Sequence, residues 1–106
     1  MAKYLIQGSY AGEGVKGLLK EGGSGRRAAI KKLIGSVGGK VEAFYYAFGD
    51  TDVFVIVDLP DNVTAAALSM IVNAAGAVSL KVTVLLTAEE IDEATQKTVN
   101  YRPPGQ

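Results

Sequence analysis

The order of apolar runs and chain breakers predicts a two-layer α+β domain, a four-stranded antiparallel sheet with helices on one face, connected β-α-β-β-α-β. Three observations carry this. Residues 3–10, 40–48, 52–59 and 77–86 alternate or run apolar in the manner of strands. Between the first and second of these, and between the third and fourth, apolar residues recur at helical spacing. Only Gly49-Asp50-Thr51 separates the second strand from the third, so those two form a hairpin, read as the centre of the sheet.

Taken in order, residues 3–10 put Tyr4, Ile6, Gly8 and Tyr10 on one face and Leu5, Gln7 and Ser9 on the other. Val15, Leu18 and Leu19 predict a short accessory helix near 13–20, ended by Gly22-Gly23. Ser24 suits the N-cap of the next helix, whose stripe is Ile30, Leu33, Ile34 and Val37. Arg26, Arg27, Lys31 and Lys32 fall mostly off that stripe, and Gly38-Gly39 stops it. In the second strand Val41, Ala43, Tyr45 and Ala47 alternate with Glu42, Phe44, Tyr46 and Phe48. In the third, Val53, Val55, Val57 and Leu59 alternate with Phe54 and Ile56, and Pro60 closes it. Asp61 caps a helix whose packed side is read as Val63, Ala66, Ala67, Met70, Ile71 and Ala74, ended by Gly76. The fourth strand aligns Val78, Leu80, Val82, Val84 and Leu86. Thr87-Ala88-Glu89-Glu90 is a capping-box pattern that opens a second accessory helix near 88–97. Residues 1–97 thus form one domain, and 98–106, with Pro103-Pro104-Gly105, an extended or disordered tail. This order of elements is the ferredoxin-like split βαβ arrangement.

A chain of 106 residues suits one domain with a modest core. Eleven basic residues balance eleven acidic ones, which argues against broad electrostatic binding of nucleic acid or of an anionic membrane surface. There is no cysteine and no histidine. That removes disulfides, a thiolate nucleophile, the usual base near neutral pH and the commonest zinc and haem ligands. The expectation is no metal and no cofactor. No apolar run nears the ~20 residues of a membrane span, and the N-terminus lacks the pattern of a secretory leader, so the expected location is cytoplasmic.

Neither face of the predicted sheet reads as polar. Phe44, Tyr46, Phe48, Phe54 and Ile56 share one side and Val41, Ala43, Tyr45, Val53, Val55 and Val57 the other. A sheet face left to solvent reads as polar. The aromatic side is therefore expected to be an interface covered by another copy, giving a homodimer or higher homo-oligomer.

Gly38-Gly39-Lys40, Phe44-Tyr45, and Phe48-Gly49-Asp50-Thr51-Asp52 with the valine-rich strand and Pro60-Asp61 behind it resemble the GYD domain family. The resemblance spans residues 3–96. It implies a ferredoxin-like fold of the dimeric α/β-barrel type and a basic residue at the position of Arg27. Thr51 stands where the family's name-giving tyrosine is usual, while Gly49 and Asp52 remain. The resemblance implies a fold more than an activity.

Four constellations bear on chemistry. Gly12-Glu13-Gly14-Val15-Lys16-Gly17 satisfies a dinucleotide glycine pattern, but Lys31 and Lys32 occupy the region where an acidic residue belongs and the sheet is not parallel. A flexible turn is the preferred reading. Gly22-Gly23-Ser24-Gly25-Arg26-Arg27 sets N–H groups and two guanidiniums at a helix start, as an anion site would; a solvated basic loop is preferred, with Arg27 kept as the candidate. Asp50 and Asp52 can act as acid and base or hold a hard cation, yet aspartate is also a turn former; Asp52 is the stronger candidate. Tyr4, Tyr10, Tyr45 and Tyr46 can line a pocket or an interface. The candidate ligand-binding residues are Tyr45, Asp52, Arg27 and Tyr10, with Tyr45 and Asp52 bordering an internal pocket if that face meets the helices.

Three functions compete. The first is an oligomeric module that binds a small, partly apolar molecule. The second is a cofactor-independent enzyme of the monooxygenase or isomerase kind, the third a structural assembly protein.

Overall fold

The computed structural model describes residues 1–106. Strands β1 (Ala2–Tyr10), β2 (Lys40–Tyr46), β3 (Val53–Leu59) and β4 (Val78–Leu85) form one antiparallel sheet in the order β2-β3-β1-β4. Helix α1 (Gly12–Ser36) joins β1 to β2, α2 (Asn62–Ala75) joins β3 to β4, and α3 (Ala88–Thr95) follows β4. The α+β fold with an open four-stranded sheet is the one the sequence predicts. The β2–β3 hairpin, however, is not central: β1 and β3 fill the middle and β2 is an edge.

The core lies between the sheet and the two long helices. Tyr4 and Ile6 of β1, Val53, Val55, Val57 and Leu59 of β3, Ile34 of α1, and Ala65 and Leu68 of α2 are its buried residues. Tyr4 is buried whole, and its hydroxyl donates to Asn62 at 2.5 Å, which satisfies the one polar atom that burial would penalise.

Helix α1 contains the two helices the sequence predicts, joined across a kink with no loop between them. Its two segments run on from one another, and the break between them sits at Gly22, with φ 77° and ψ 167°. Only glycine adopts such a backbone without strain. Ser24 lies past the break and makes no capping bond. The helix begins at Gly12, where a flexible turn was expected. A Cβ on Gly14 would stand 2.1 Å from the Ala77 carbonyl oxygen, so this part of the glycine pattern serves close packing of α1 against the start of β4.

Two facial assignments are also corrected. A bulge at Glu42 shifts β2 by one residue, pairing Val41 with Val57 but Phe44 with Val55 and Tyr46 with Val53. One extra residue reverses every side chain beyond it. Phe44 and Tyr46 therefore face the helices, where their rings meet edge to face at 5.2 Å. Tyr45 joins Phe54 and Ile56 on the open face. Phe48 lies beyond the strand in the hairpin loop, fully exposed. In α2 the packed side is Ala65, Leu68 and Val72, while Val63, Met70 and Ile71 point outward. The roll of α2 is set by polar bonds at both ends: Asn62 accepts from Tyr4, and Asn73 accepts the Leu80 N–H at 2.7 Å.

The open sheet face is divided. Ala43, Tyr45, Phe54, Ile56 and Leu5 form an apolar half, whereas Gln7, Ser9, Ser79, Lys81 and Thr83 make the other half polar. The expectation of a face apolar throughout holds for the β2–β3 half alone.

Beyond β4 the chain leaves the body. Every residue from Leu86 to Gln106 is exposed, and the molecule measures 57 × 32 × 23 Å. Its radius of gyration is 17.0 Å, against ~13 Å for a compact chain of 100 residues. No helix is long and apolar enough to cross a membrane.

Candidate functional site

The helix-covered side of the sheet does not fill completely. Between the second segment of α1, α2 and strands β1 and β3 lies a cavity of about 100 Å³. Twelve of its thirteen lining residues are apolar or aromatic, and the thirteenth is Arg26. Ile30, Leu33 and Ile34 arrive from α1 and Leu68 and Val72 from α2, with the sheet as floor. The cavity exists because α1 bends at Gly22: the break sets the angle at which the second segment crosses the sheet and so its separation from α2.

The polar groups gather at one end, beside that break. Tyr10 closes β1; its backbone N–H donates to Asp52 Oδ2 at 2.8 Å, which ties the strand end to the hairpin. Arg26 comes one turn after Gly22. Tyr46, turned inward by the bulge, donates its hydroxyl to the Gly23 carbonyl at 3.0 Å. A Cβ on Gly23 would lie 3.2 Å from the Tyr46 ring, so glycine gives the ring room there. Burial pushes the Tyr46 phenol above its ordinary value, the neighbouring Tyr10 adds to the shift, and Arg26 opposes it. Tyr46 therefore stays protonated and serves as a donor.

Arg26 pairs with Glu21 at 3.6 Å across the break. Such a partly exposed pair contributes little to stability, and a guanidinium has five N–H donors, so the group can take a second anion. Tyr10 and Arg26 also line a second recess of about 170 Å³, with Glu13 and Glu21 on its rim, so they stand between an apolar chamber and a polar entrance.

Of the four candidates the sequence offered, Tyr10 reaches the cavity. Asp52 does not line it and acts on the backbone behind it. Tyr45, 72 % exposed, is on the opposite side of the sheet from the expected pocket, because the bulge at Glu42 reverses it. Arg27 faces an outer groove of about 330 Å³ along the edge strand, together with Lys31 and Tyr45. Arg26 is the missed residue, and a signal for it existed: it stands four residues before Ile30, one turn along the same stripe. Asp50 and Asp52 gather no third ligand; nowhere do three metal-binding side chains converge.

No curated protein and no solved structure matches this chain. A family does. Residues 4–95 match the model of the GYD domain, a span that runs from within β1 to the end of α3 and takes in all of the cavity, and the chain therefore belongs to the GYD domain family.

Proposed function

We propose that the protein is a self-associating module that binds a small organic anion, the apolar body in the cavity and the charged end at Arg26. The observation that carries this is an apolar chamber whose one charged lining residue is Arg26, with Tyr10 lining it as well. Engineered cavities of about 150 Å³ with similar walls take up benzene, so a chamber of about 100 Å³ suits a body no larger than a small ring or a branched chain. The Arg26 guanidinium, with N–H donors to spare, favours an anion at that end. An enzyme reading would need a base at the chamber; its polar lining is Arg26 and the Tyr10 hydroxyl, and the Asp52 carboxylate is engaged by a backbone N–H.

Self-association rests on the apolar half of the open face. Only ten of 106 residues are buried in one copy, and covering a residue such as Phe54 or Ile56 stabilises by ~1.5–3 kcal/mol. A second copy seated there would act as the missing half of the core.

A panel of small aromatic and branched carboxylates with their neutral amides, followed by thermal shift and calorimetry, tests the ligand. Carboxylates raise the melting temperature of the wild type. Arg26→Leu weakens them by about tenfold or more, as loss of a charged hydrogen bond requires, and leaves the amides unchanged. Val72→Phe, which fills the chamber, abolishes both. A wild type indifferent to the whole panel at millimolar concentration would sink the reading.

A further inference from the structure

We infer that the ligand is a zwitterion, an α-amino acid with a small branched apolar side chain, an assignment that stands only if the chamber is the binding site. Its carboxylate lies at Arg26 and its ammonium at Glu21. An amino acid carries an apolar group, an anion and a cation on one carbon. Its site therefore needs an apolar pocket, a base and an acid that meet at one point. They meet here at the mouth of the chamber. The chamber and the polar recess share Tyr10, Arg26 and Val78 as lining. Arg26 is the one charged residue of the chamber, and the recess adds Glu13 and Glu21. A ligand with its apolar body in the chamber and a carboxylate on Arg26 thus turns its remaining substituent toward two acids. An ammonium suits that place.

The base and the principal acid are paired without closing on each other. Glu21 and Arg26 stand on either side of Gly22, where α1 breaks. Their charged groups approach to 3.6 Å, near enough to attract and too far for a hydrogen bond. Each keeps its hydrogen-bonding capacity for a ligand, the guanidinium its donors and the carboxylate its acceptors. A zwitterion presents the complementary pair and adds no net charge. A plain carboxylate brings a second negative charge beside Glu21, which repels it. Glu13 is the lesser acid, since it is more exposed than Glu21 and has Lys16 beside it.

The first segment of α1 gives the recess an open wall. Glu13, Gly14, Gly17 and Glu21 recur at the spacing of one helix face, and all four line the recess. No apolar side chain stands on that face. Gly14 serves the close approach to Ala77, but nothing lies within 4 Å of where a Cβ on Gly17 would stand. Packing does not call for glycine at that position, and glycine weakens a helix relative to alanine. A bare wall there leaves room for the charged end of the ligand. The apolar end is limited more closely. A chamber of about 100 Å³ is smaller than the ~150 Å³ that takes up benzene, which favours the side chain of valine or leucine over a phenyl ring.

Calorimetry on the full chain, with leucine and three compounds of the same skeleton, tests the assignment. Isocaproate lacks the ammonium, the α-hydroxy acid puts a neutral donor in its place, and isoamylamine lacks the carboxylate. Leucine is expected to bind at least tenfold tighter than any of the three, as one further hydrogen bond between charged groups requires. Glu21→Gln, at a partly exposed position, keeps the circular dichroism spectrum. It brings leucine down to the level of isocaproate, which it binds no less tightly than the wild type does. Isocaproate or the hydroxy acid bound as tightly as leucine overturns the amino-acid assignment and leaves the anion reading of the chamber in place. So does a Glu21→Gln variant that retains the tenfold preference. A wild type silent toward leucine and isocaproate alike removes both the assignment and the chamber reading.

Discussion

Glu42 is the extra residue of the bulge in β2, and Lys3 holds its carboxylate together with that of Asp58, 3.0 Å from the latter. These two acids raise the Lys3 ammonium above its ordinary value, Glu42 foremost. The bulge puts Tyr46 beside Gly23 and sends Tyr45 outward, so one residue decides which tyrosine faces the helices. Asp61 acts as locally at the start of α2. Its Oδ1 accepts the N–H and hydroxyl of Thr64 at 2.8 and 2.7 Å, and these bonds hold its carboxyl below the ordinary value of 3.8. The folded protein therefore binds this proton less readily than the unfolded chain. The stabilisation is complete above the ordinary value and is lost as pH falls through the lower, folded one. Asp61→Ala should lower the melting temperature at neutral pH, and its gap to the wild type should shrink as pH is taken below 3.8. A gap constant with pH would show that the carboxylate is not the group that caps α2.

At the scale of elements, α2 is the instructive case. Its sequence is apolar nearly all round, so helical spacing allows two stripes, and Val63, Ala66, Ala67, Met70, Ile71 and Ala74 make the longer one. The shorter one is buried because Asn62 and Asn73 lie on that side and bond Tyr4 and the backbone of Leu80. Asn73 also satisfies a backbone N–H of the edge strand β4, a group that otherwise depends on water. Denaturation in urea separates the two sides. Leu68→Ala, at a buried position, should cost ~2–5 kcal/mol. Ile71→Lys, at a position 71 % exposed, should change stability by no more than about 0.5 kcal/mol. Equal losses would mean that α2 is rolled differently. In α1 the sequence showed both segments and the glycine break between them. It did not show that the break leaves them end to end, since that follows from Gly14 packing against Ala77 at one end and Ile34 entering the core at the other.

The whole molecule is a small core with a long extension, and much of its exposed apolar surface lies in three places: the β2–β3 half of the open face, the outer side of α2, and the segment beyond β4. The first of these carries the self-association reading. Phe54 sits at its centre, paired with Tyr45 on one side and Gln7 on the other. Phe54→Asp should reduce the light-scattering mass at micromolar concentration to that of a single chain while the far-ultraviolet circular dichroism is kept. A variant that associates as the wild type does would remove the open face from the assembly.

The amino-acid sequence alone determined the elements, their order and most of their ends. Period-two and helical patterns, the Asp61 and Thr87 caps and the glycine stops are local, and each acts through the backbone of its own neighbours. Which side of an element faces the core was decided in three dimensions. β2 reads equally well in either register until Glu42 is left unpaired, and α2 offers two apolar stripes until asparagines at both ends choose one. The candidate site follows from those choices. Arg26 and Tyr10 belong to different elements and have no common motif, and only the folded chain, kinked at Gly22, brings them to one cavity.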